Sequence, residues 1–546
     1  MFERICTITL TCLTFFIIGA ASARAEPRMV ESFGDSATSP VDYRAAPYVP
    51  QNTCVQMMRN TNFEYSVMSV ENVATSKDAP AHCRVHGLIQ PEIQFWVFLP
   101  ETWNGRFYMH GHGGYAGKSP LELAYHLKKV NNALAHNFAV AYTDTGHDYD
   151  AEPEGEFALN DTAKTVDYAY RSVHLTARVS KQILSEYYGQ RESYSYWDGC
   201  STGGRQGLME AQRFPEDFDG VLAGAPVNAF TDLHIWMAWV FQKLEGNAIS
   251  LDKIENLLAP AVYELCDDRD GLKDGLIQDP ASCPFKPAEH LPVCSSRFSR
   301  QDCFTKKEID LLEHLYSPVM RKGAVFYPGM QVGAEAKGVQ NFRPGNPVKS
   351  GWYGYLLGDE GALGRMNIFV TTFFRYLAFE RDDPDYDWRN LDFNEDLDRM
   401  DHIRIILDAV NTDMSAFRDA GGKIISYHGG ADIGPPASFT TDYYNKVLAD
   451  MGMENTQSFY RLFMVPGMFH CGGGFGTDYF DAMTPLINWV ERGVAPDQIR
   501  AEQRANGKPE GAVERTRPLC PYPQHARYNG EGDPNAAENF TCVMGD

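Results

Sequence analysis

The chain has 546 residues and carries 49 Lys and Arg against 72 Asp and Glu, a formal net charge of -23. That balance argues against nucleic-acid binding and against docking on anionic membranes. A hydrophobic content of 44% with 22% charged residues is that of a globular protein, and the length admits one large core or two smaller ones.

Residues 1–25 read as a secretory signal, outside the fold. Arg4 opens a short n-region, an apolar run follows to Ile18, and Ala23-Arg24-Ala25 offers a cleavage site before Glu26. The run is short for an anchor, and no later segment reaches the ~18 uninterrupted apolar residues of a spanning helix. No membrane association is expected after cleavage, and the expected location is the periplasm or the extracellular medium. Cysteines oxidise there. Cys6 and Cys12 leave with the signal and ten remain. Ten allow far too many pairings for sequence alone to decide. Pairing neighbours gives Cys54–Cys83, Cys266–Cys283, Cys294–Cys303 and Cys520–Cys542, and leaves Cys200 and Cys471 over.

Along residues 26–227, "FWVFLP" (95–100), "RFYMHGHGG" (106–114) and "FAVAYTDTG" (138–146) predict buried strands ending in Gly-rich or polar loops. Helical spacing runs over 165–189 and stops at Gly189. "SYSYWDG" predicts a strand, "GRQGLMEAQRFP" a helix and "GVLAGAP" another buried strand. This alternation indicates a parallel α/β sheet. It fails over 228–412, a stretch rich in Trp, Tyr and Phe, and resumes in 413–546 with "KIISYHGGAD" and "FYRLFMVPGMFHC". An insertion between late sheet strands is expected to form a large lid domain over the site.

Within "YWDGCSTGGRQGL" (196–208), Gly199-Cys200-Ser201-Thr202-Gly203 fits G-x-S-x-G between a predicted strand and a predicted helix. That is the context of a nucleophile elbow, where small neighbours let the backbone turn sharply and expose the serine. An elbow predicts the order Ser, acid, His, with the last two in loops after later strands. Asp432 follows "KIISYHGG" and His470 follows "RLFMVPGMF". His470 is the expected general base and Asp432 its orienting acid. His428 is a weaker candidate, four residues before Asp432 on the same strand end. Cys200 precedes Ser201 and Cys471 follows His470, so if Ser201 and His470 meet, the two leftover cysteines come within bonding reach. Cys200 is then no nucleophile.

The N–H of Thr202 and that of Gly113 or Gly114, in "HGHGGYAG", are the expected oxyanion donors. A His-x-His metal site at His110 and His112 competes for that stretch but lacks an evident third ligand. In the insertion, "CDDRDGLKDGLIQDPASC" places Asp267, Asp270 and Asp274 within eight residues beside Gly271 and Gly275. Hard oxygens on a tight loop suit Ca²⁺, although the spacing is not that of an EF-hand. A solvated acidic turn without metal is the alternative. Trp352, Tyr353, Phe369, Phe373, Phe374 and Tyr376 are candidate contacts for a ring-bearing substrate, although most of them read first as core of the insertion, and Arg365 is a weaker candidate that reads first as a surface residue.

Taken together, Cys-Ser in "GCSTGGRQG", Asp after "HGG" in "HGGAD" and His-Cys in "FHCGGG" resemble the tannase and feruloyl esterase family. The resemblance spans nearly all of the chain after the signal. It implies an α/β-hydrolase core with Ser201, Asp432 and His470 as triad, a Cys200–Cys471 bridge, and the neighbour pairing of the other eight cysteines. It also implies structural calcium held by Asp267, Asp270 and Asp274 with the carbonyls of Leu272 and Leu276, and no organic cofactor. The expected activity is serine carboxylic-ester hydrolysis on small esters of gallate- or hydroxycinnamate-type aromatic acids. A mono(2-hydroxyethyl) terephthalate-type ester is the alternative substrate. Peptidase or acyltransferase chemistry is a further alternative, and a non-catalytic binding protein on the same scaffold would be marked by a missing triad member.

Overall fold

The computed structural model describes residues 33, 39–44, 47–247, 249–295, 301–335, 340–343, 346–348, 351–357, 363–508 and 511–545. The expected signal, 1–25, and the side chain of Tyr353 lie outside the described residues.

Nine strands form one sheet. They are β1 (Tyr65–Val73), β2 (His82–Ile89), β3 (Ile93–Pro100), β4 (Arg106–His110), β5 (Ala139–Thr143), β6 (Tyr194–Cys200), β7 (Gly220–Gly224), β8 (Lys423–Gly429) and β9 (Tyr460–Val465). Their order is β1-β2-β3-β5-β4-β6-β7-β8-β9. From β5 to β9 every pairing is parallel, as the alternation of strands and helices predicts. β1, β2 and β3 instead pair antiparallel with one another, and β3 antiparallel with β5. The sheet is therefore mixed. Short connections make hairpins, whereas parallel neighbours need crossover helices.

Seven helices matter below: α1 (Ala124–Ala135), α2 (Ser172–Tyr188), α3 (Thr202–Arg213), α4 (Phe230–Leu244), α5 (Met366–Tyr376), α6 (Ala437–Met451) and α7 (Met483–Arg492). β4, β5 and β7 are buried along their whole length, as parallel strands covered on both faces must be. Successive side chains divide between two cores. Val97, Trp197, Val221 and Ile424 face α2, α3 and α6. Phe98, Tyr196, Leu222 and Ile425 face α1 and α7. The continuous helix expected over 165–189 is broken by a wider π turn at Asp167–Arg171 before α2, which ends at Gly189 with φ 67°.

Between β7 and β8 the described chain adds no strand to this sheet. It packs a core of its own around Trp236, Phe241, Leu312, Val370, Phe373 and Trp388. Tyr115, Phe157, Ala431 and Phe469, from loops at the C-terminal ends of the sheet strands, join that core. All ten described cysteines are paired: Cys54–Cys83, Cys200–Cys471, Cys266–Cys283, Cys294–Cys303 and Cys520–Cys542. Among the described residues no helix is long and apolar enough to cross a membrane.

Candidate active site

Ser201 sits in the turn from β6 into α3 with φ 63° and ψ -121°, a conformation costly for any residue with a Cβ. The surroundings enforce it. The Ser201 N–H donates to Gly224 O at 3.0 Å, and Ser201 O accepts from Arg205 N–H at 3.0 Å. The small neighbours are obligatory: a Cβ on Gly199 would lie 2.5 Å from Gly203 O, and one on Gly204 would lie 2.4 Å from Gly224 O. The elbow thus packs backbone on backbone.

The loop after β4 is stitched to this turn. Gly203 N–H donates to His112 O at 2.6 Å. The hydroxyls of Thr202 and Tyr168 donate to Gly114 O at 2.7 and 2.9 Å. Thr202 opens α3, so its N–H has no intrahelical acceptor. Beside it, a Cβ on Gly113 would meet nothing within 4 Å, while Gly114 takes φ 57°.

Asp432 and His470 come from the loops after β8 and β9, which interlock. A Cβ on Gly429 would lie 2.3 Å from Met468 O, and Ala431 N–H donates to Met468 O at 3.0 Å. His470 Nδ1 donates to Asp432 Oδ2 at 2.6 Å. Gly434 N–H donates to Asp432 Oδ1 at 2.7 Å. Burial pushes the Asp432 carboxyl up, but the charge of His470 and hydrogen bonds from His428 and His470 outweigh it and hold the group below its usual range. An ionised Asp432 fixes the proton on Nδ1 and leaves Nε2 as the acceptor a general base needs. The Cys200–Cys471 disulfide, with Cα atoms 6.0 Å apart, ties the elbow to the histidine loop. The side chains singled out as nucleophile, base and acid are thus brought to one end of the sheet.

His428 is closer to this chemistry than its position on the strand end suggests, since its Nε2 lies 3.1 Å from Asp432 Oδ2. Tyr355 is a second residue missed in the sequence, its ring centroid 6.4 Å from that of His470. Nothing in the spacing of "GWYGY" distinguishes it from its neighbours. Of the aromatic candidates, Phe369 meets the loop after β4, 3.5 Å from a Cβ built on Gly114. Trp352, Phe373 and Phe374 are at most 2% exposed and fill the core of the insertion. Phe373 stacks on His234 with centroids 4.5 Å apart. Tyr376 is half-buried against the same core, and Arg365 stands at the N-terminal end of α5 near Tyr355.

The His-x-His pair does not converge with a third His, Cys, Asp or Glu ligand atom among the described residues. His110 Nδ1 donates to Asp198 O at 2.9 Å, His112 Nδ1 meets the Tyr142 hydroxyl at 3.2 Å, and burial holds both rings neutral. Among the described residues only His174, Glu210 and Asp217 converge closely enough to share an ion. There the 2.6 Å contact from His174 Nδ1 to Asp217 Oδ2 is a hydrogen bond, and burial raises Glu210 well above the usual carboxyl range.

In the acidic loop, Asp267 accepts from the N–H groups of Asp274, Gly275 and Leu276 at 2.9–3.2 Å. Asp274 pairs with Arg517 and with Arg515. Asp270 Oδ2 is buried with no partner among the described residues. The buried, orphaned Asp270 oxygen suits a hard cation, although the three carboxylates do not converge to share one as they stand, with Asp267 turned to N–H groups and Asp274 to arginines.

A family model described as tannase and feruloyl esterase matches residues 78–543. The chain is 34% identical over 526 residues to mono(2-hydroxyethyl) terephthalate hydrolase from Piscinibacter sakaiensis, covering 86% of each protein. It is 31% identical over 477 residues to feruloyl esterase B from Aspergillus niger, covering 82% of this chain and 83% of that one. The crystal structure of feruloyl esterase B from Aspergillus oryzae superposes with a TM-score of 0.74 at 27% identity, over 90% of this chain and 100% of that one. With this agreement of sequence and α/β-hydrolase fold along nearly its whole length, the chain belongs to the tannase and feruloyl esterase family and is a carboxylic-ester hydrolase of that type.

Proposed function

We propose that the protein is an exported hydrolase that cleaves esters of aromatic acids, of gallate or hydroxycinnamate type, by two-step acyl transfer. Ser201 attacks the ester carbonyl while His470 Nε2 takes its proton. The Thr202 and Gly113 N–H groups bind the developing oxyanion, each worth about 3–4 kcal/mol in comparable sites. His470 then gives the proton to the departing alcohol, and water releases the acid from the Ser201 ester. The observation that carries this reading is the 2.6 Å Asp432–His470 hydrogen bond, held beside the elbow by Cys200–Cys471.

Phe369 and Tyr355 border the site and favour a ring on the acyl side. The insertion acts as a lid over it. The signal-like leader and five disulfides support export. Asp267, Asp270 and Asp274 hold a structural calcium ion with carbonyls of Leu272 and Leu276; bound there, the ion neutralises the loop and takes no part in the ester chemistry. A mono(2-hydroxyethyl) terephthalate-type ester stays open as substrate, because that relative is 34% identical. Measuring kcat/KM on methyl gallate, methyl ferulate and mono(2-hydroxyethyl) terephthalate, with Ser201→Ala as control, tests the reading. Preference for either methyl ester supports it; preference for the terephthalate ester replaces the substrate, and no Ser201-dependent turnover of any of the three overturns it.

A further inference from the structure

His428 is fully buried at the end of β8, and its ring meets three groups. Nε2 lies 3.1 Å from Asp432 Oδ2 and 3.1 Å from Pro435 O. Nδ1 lies 2.8 Å from the Thr440 hydroxyl, on the first turn of α6. Since Nε2 faces two acceptors it must carry a proton, while Nδ1 is engaged by the Thr440 hydroxyl. Both ring nitrogens are thus used. Asp432 Oδ2 thereby receives two imidazole N–H groups, one from His470 and one from His428, while Oδ1 receives the Gly434 N–H.

We infer that His428 is a positioning residue for ester hydrolysis, a fixed Nε2–H donor that holds the Asp432 carboxylate in the one rotamer that serves His470. This rests on the roles given above to Ser201, Asp432 and His470. A carboxylate on a turn can rotate about its Cα–Cβ and Cβ–Cγ bonds, and the Gly434 N–H alone restrains only one oxygen. His428 restrains the other and is itself locked by Thr440. It also shares the Asp432 charge. Without it the whole carboxylate charge falls on the His470 bond and favours protonated His470. The other titratable groups facing the pair come from the insertion: the buried Tyr355 phenol, which burial and the Asp432 charge keep neutral, and Arg365 beyond it.

The variants His428→Leu, His428→Gln and Thr440→Val separate positioning from packing. Glutamine places an amide N–H near the imidazole Nε2 and can serve both acceptors; leucine fills the space with no donor. His428→Leu is expected to lose 10- to 100-fold in kcat with KM within twofold, and the acid limb of its pH–kcat/KM profile moves to higher pH. His428→Gln restores kcat to within about fivefold of wild type and returns the acid limb. Thr440→Val, which frees Nδ1, gives an intermediate loss. Wild-type kcat and acid limb in folded His428→Leu overturn the inference, as does a His428→Gln enzyme no better than the leucine variant. If His428→Leu does not fold, an unchanged kcat in Thr440→Val together with an inactive, folded His428→Gln overturns it. Ser201→Ala run alongside keeps two failures apart: activity in that variant defeats the triad reading, whereas its loss beside an active His428→Leu defeats only the role of His428.

Discussion

Asp432, in the turn after β8, and Asp270, in the acidic loop of the insertion, are 3% and 4% exposed, yet their charges are compensated differently. Asp432 receives three N–H donors, from His470, His428 and Gly434, and is held below the usual carboxyl range although burial opposes this. Asp270 receives one, from Leu272 at 3.0 Å. Burial, with the charges of Asp274 and Asp267, pushes it up to about 7. Asp144, beside β5, extends the series: two N–H groups, from Gln94 and Gly146, reach Oδ1, none reaches Oδ2, and burial pushes it up to about 8. Of these three carboxylates, only the one with hydrogen bonds to both oxygens and a facing imidazole is held below its usual range. The site serves both Asp432 oxygens from protein groups; the acidic loop leaves Asp270 Oδ2 without a partner among the described residues.

The largest expected effect is at the served carboxylate's own site. Ser201→Ala should lose at least about 10⁴-fold in kcat with its fold intact, since nucleophile, base and acid act as one unit. Retained turnover by a folded variant would end the assignment. Next comes the tie between elbow and histidine loop. Cys200–Cys471 spans a sequence separation of 271, and closing so long a loop is worth about 5 kcal/mol in the chain-entropy model. The double variant Cys200→Ala/Cys471→Ala should fall by roughly 5 °C in Tm and lose activity as well. An unchanged Tm would show that the loops hold each other without the bond.

Smaller effects test the unserved carboxylates. Chelation should lower Tm by a few degrees and leave kcat at low temperature unchanged, and added calcium should restore it. Asp270→Asn should abolish that response while leaving catalysis intact. Differential scanning of the four samples decides, and indifference of the wild type to chelator and calcium would contradict the calcium assignment. For Asp144 the sign follows from proton linkage. Between about 3.8, its unperturbed value, and about 8 the native protein holds a proton that the unfolded chain has released. Its contribution therefore declines as pH rises through that window, by at most about 1.4 kcal/mol per pH unit. Asp144→Asn should flatten the fall of Tm with pH, and an identical slope would mean the group is not protonated in the fold.

Local features were the most legible in the sequence. The elbow announces itself because Gly199 is required by its contact with Gly203 inside one strand-turn-helix unit, whereas Gly203 and Gly204 answer to the loop after β4 and the end of β7. Four disulfides join near neighbours in sequence, and the fifth was readable only once Ser201 and His470 were taken to meet. The antiparallel β1–β3 edge was not foreseen, since strand direction depends on partners that periodicity does not name. His428 was set aside as too near Asp432, but the turn in which Asp432 N–H donates to Gly429 O at 3.0 Å folds the carboxylate back onto the strand end. That proximity is the contact. In the insertion, Trp352 and Phe373 are core, the reading composition favours, because an aromatic-rich segment must first fill its own interior.

The most direct test is to treat the enzyme with a fluorophosphonate ester and map the adduct by mass spectrometry. A single adduct per chain on Ser201, formed in step with loss of ester hydrolysis and absent from Ser201→Ala, is the predicted result. An adduct on another residue that tracks the loss of activity, or full inactivation of the enzyme with Ser201 unmodified, would contradict it.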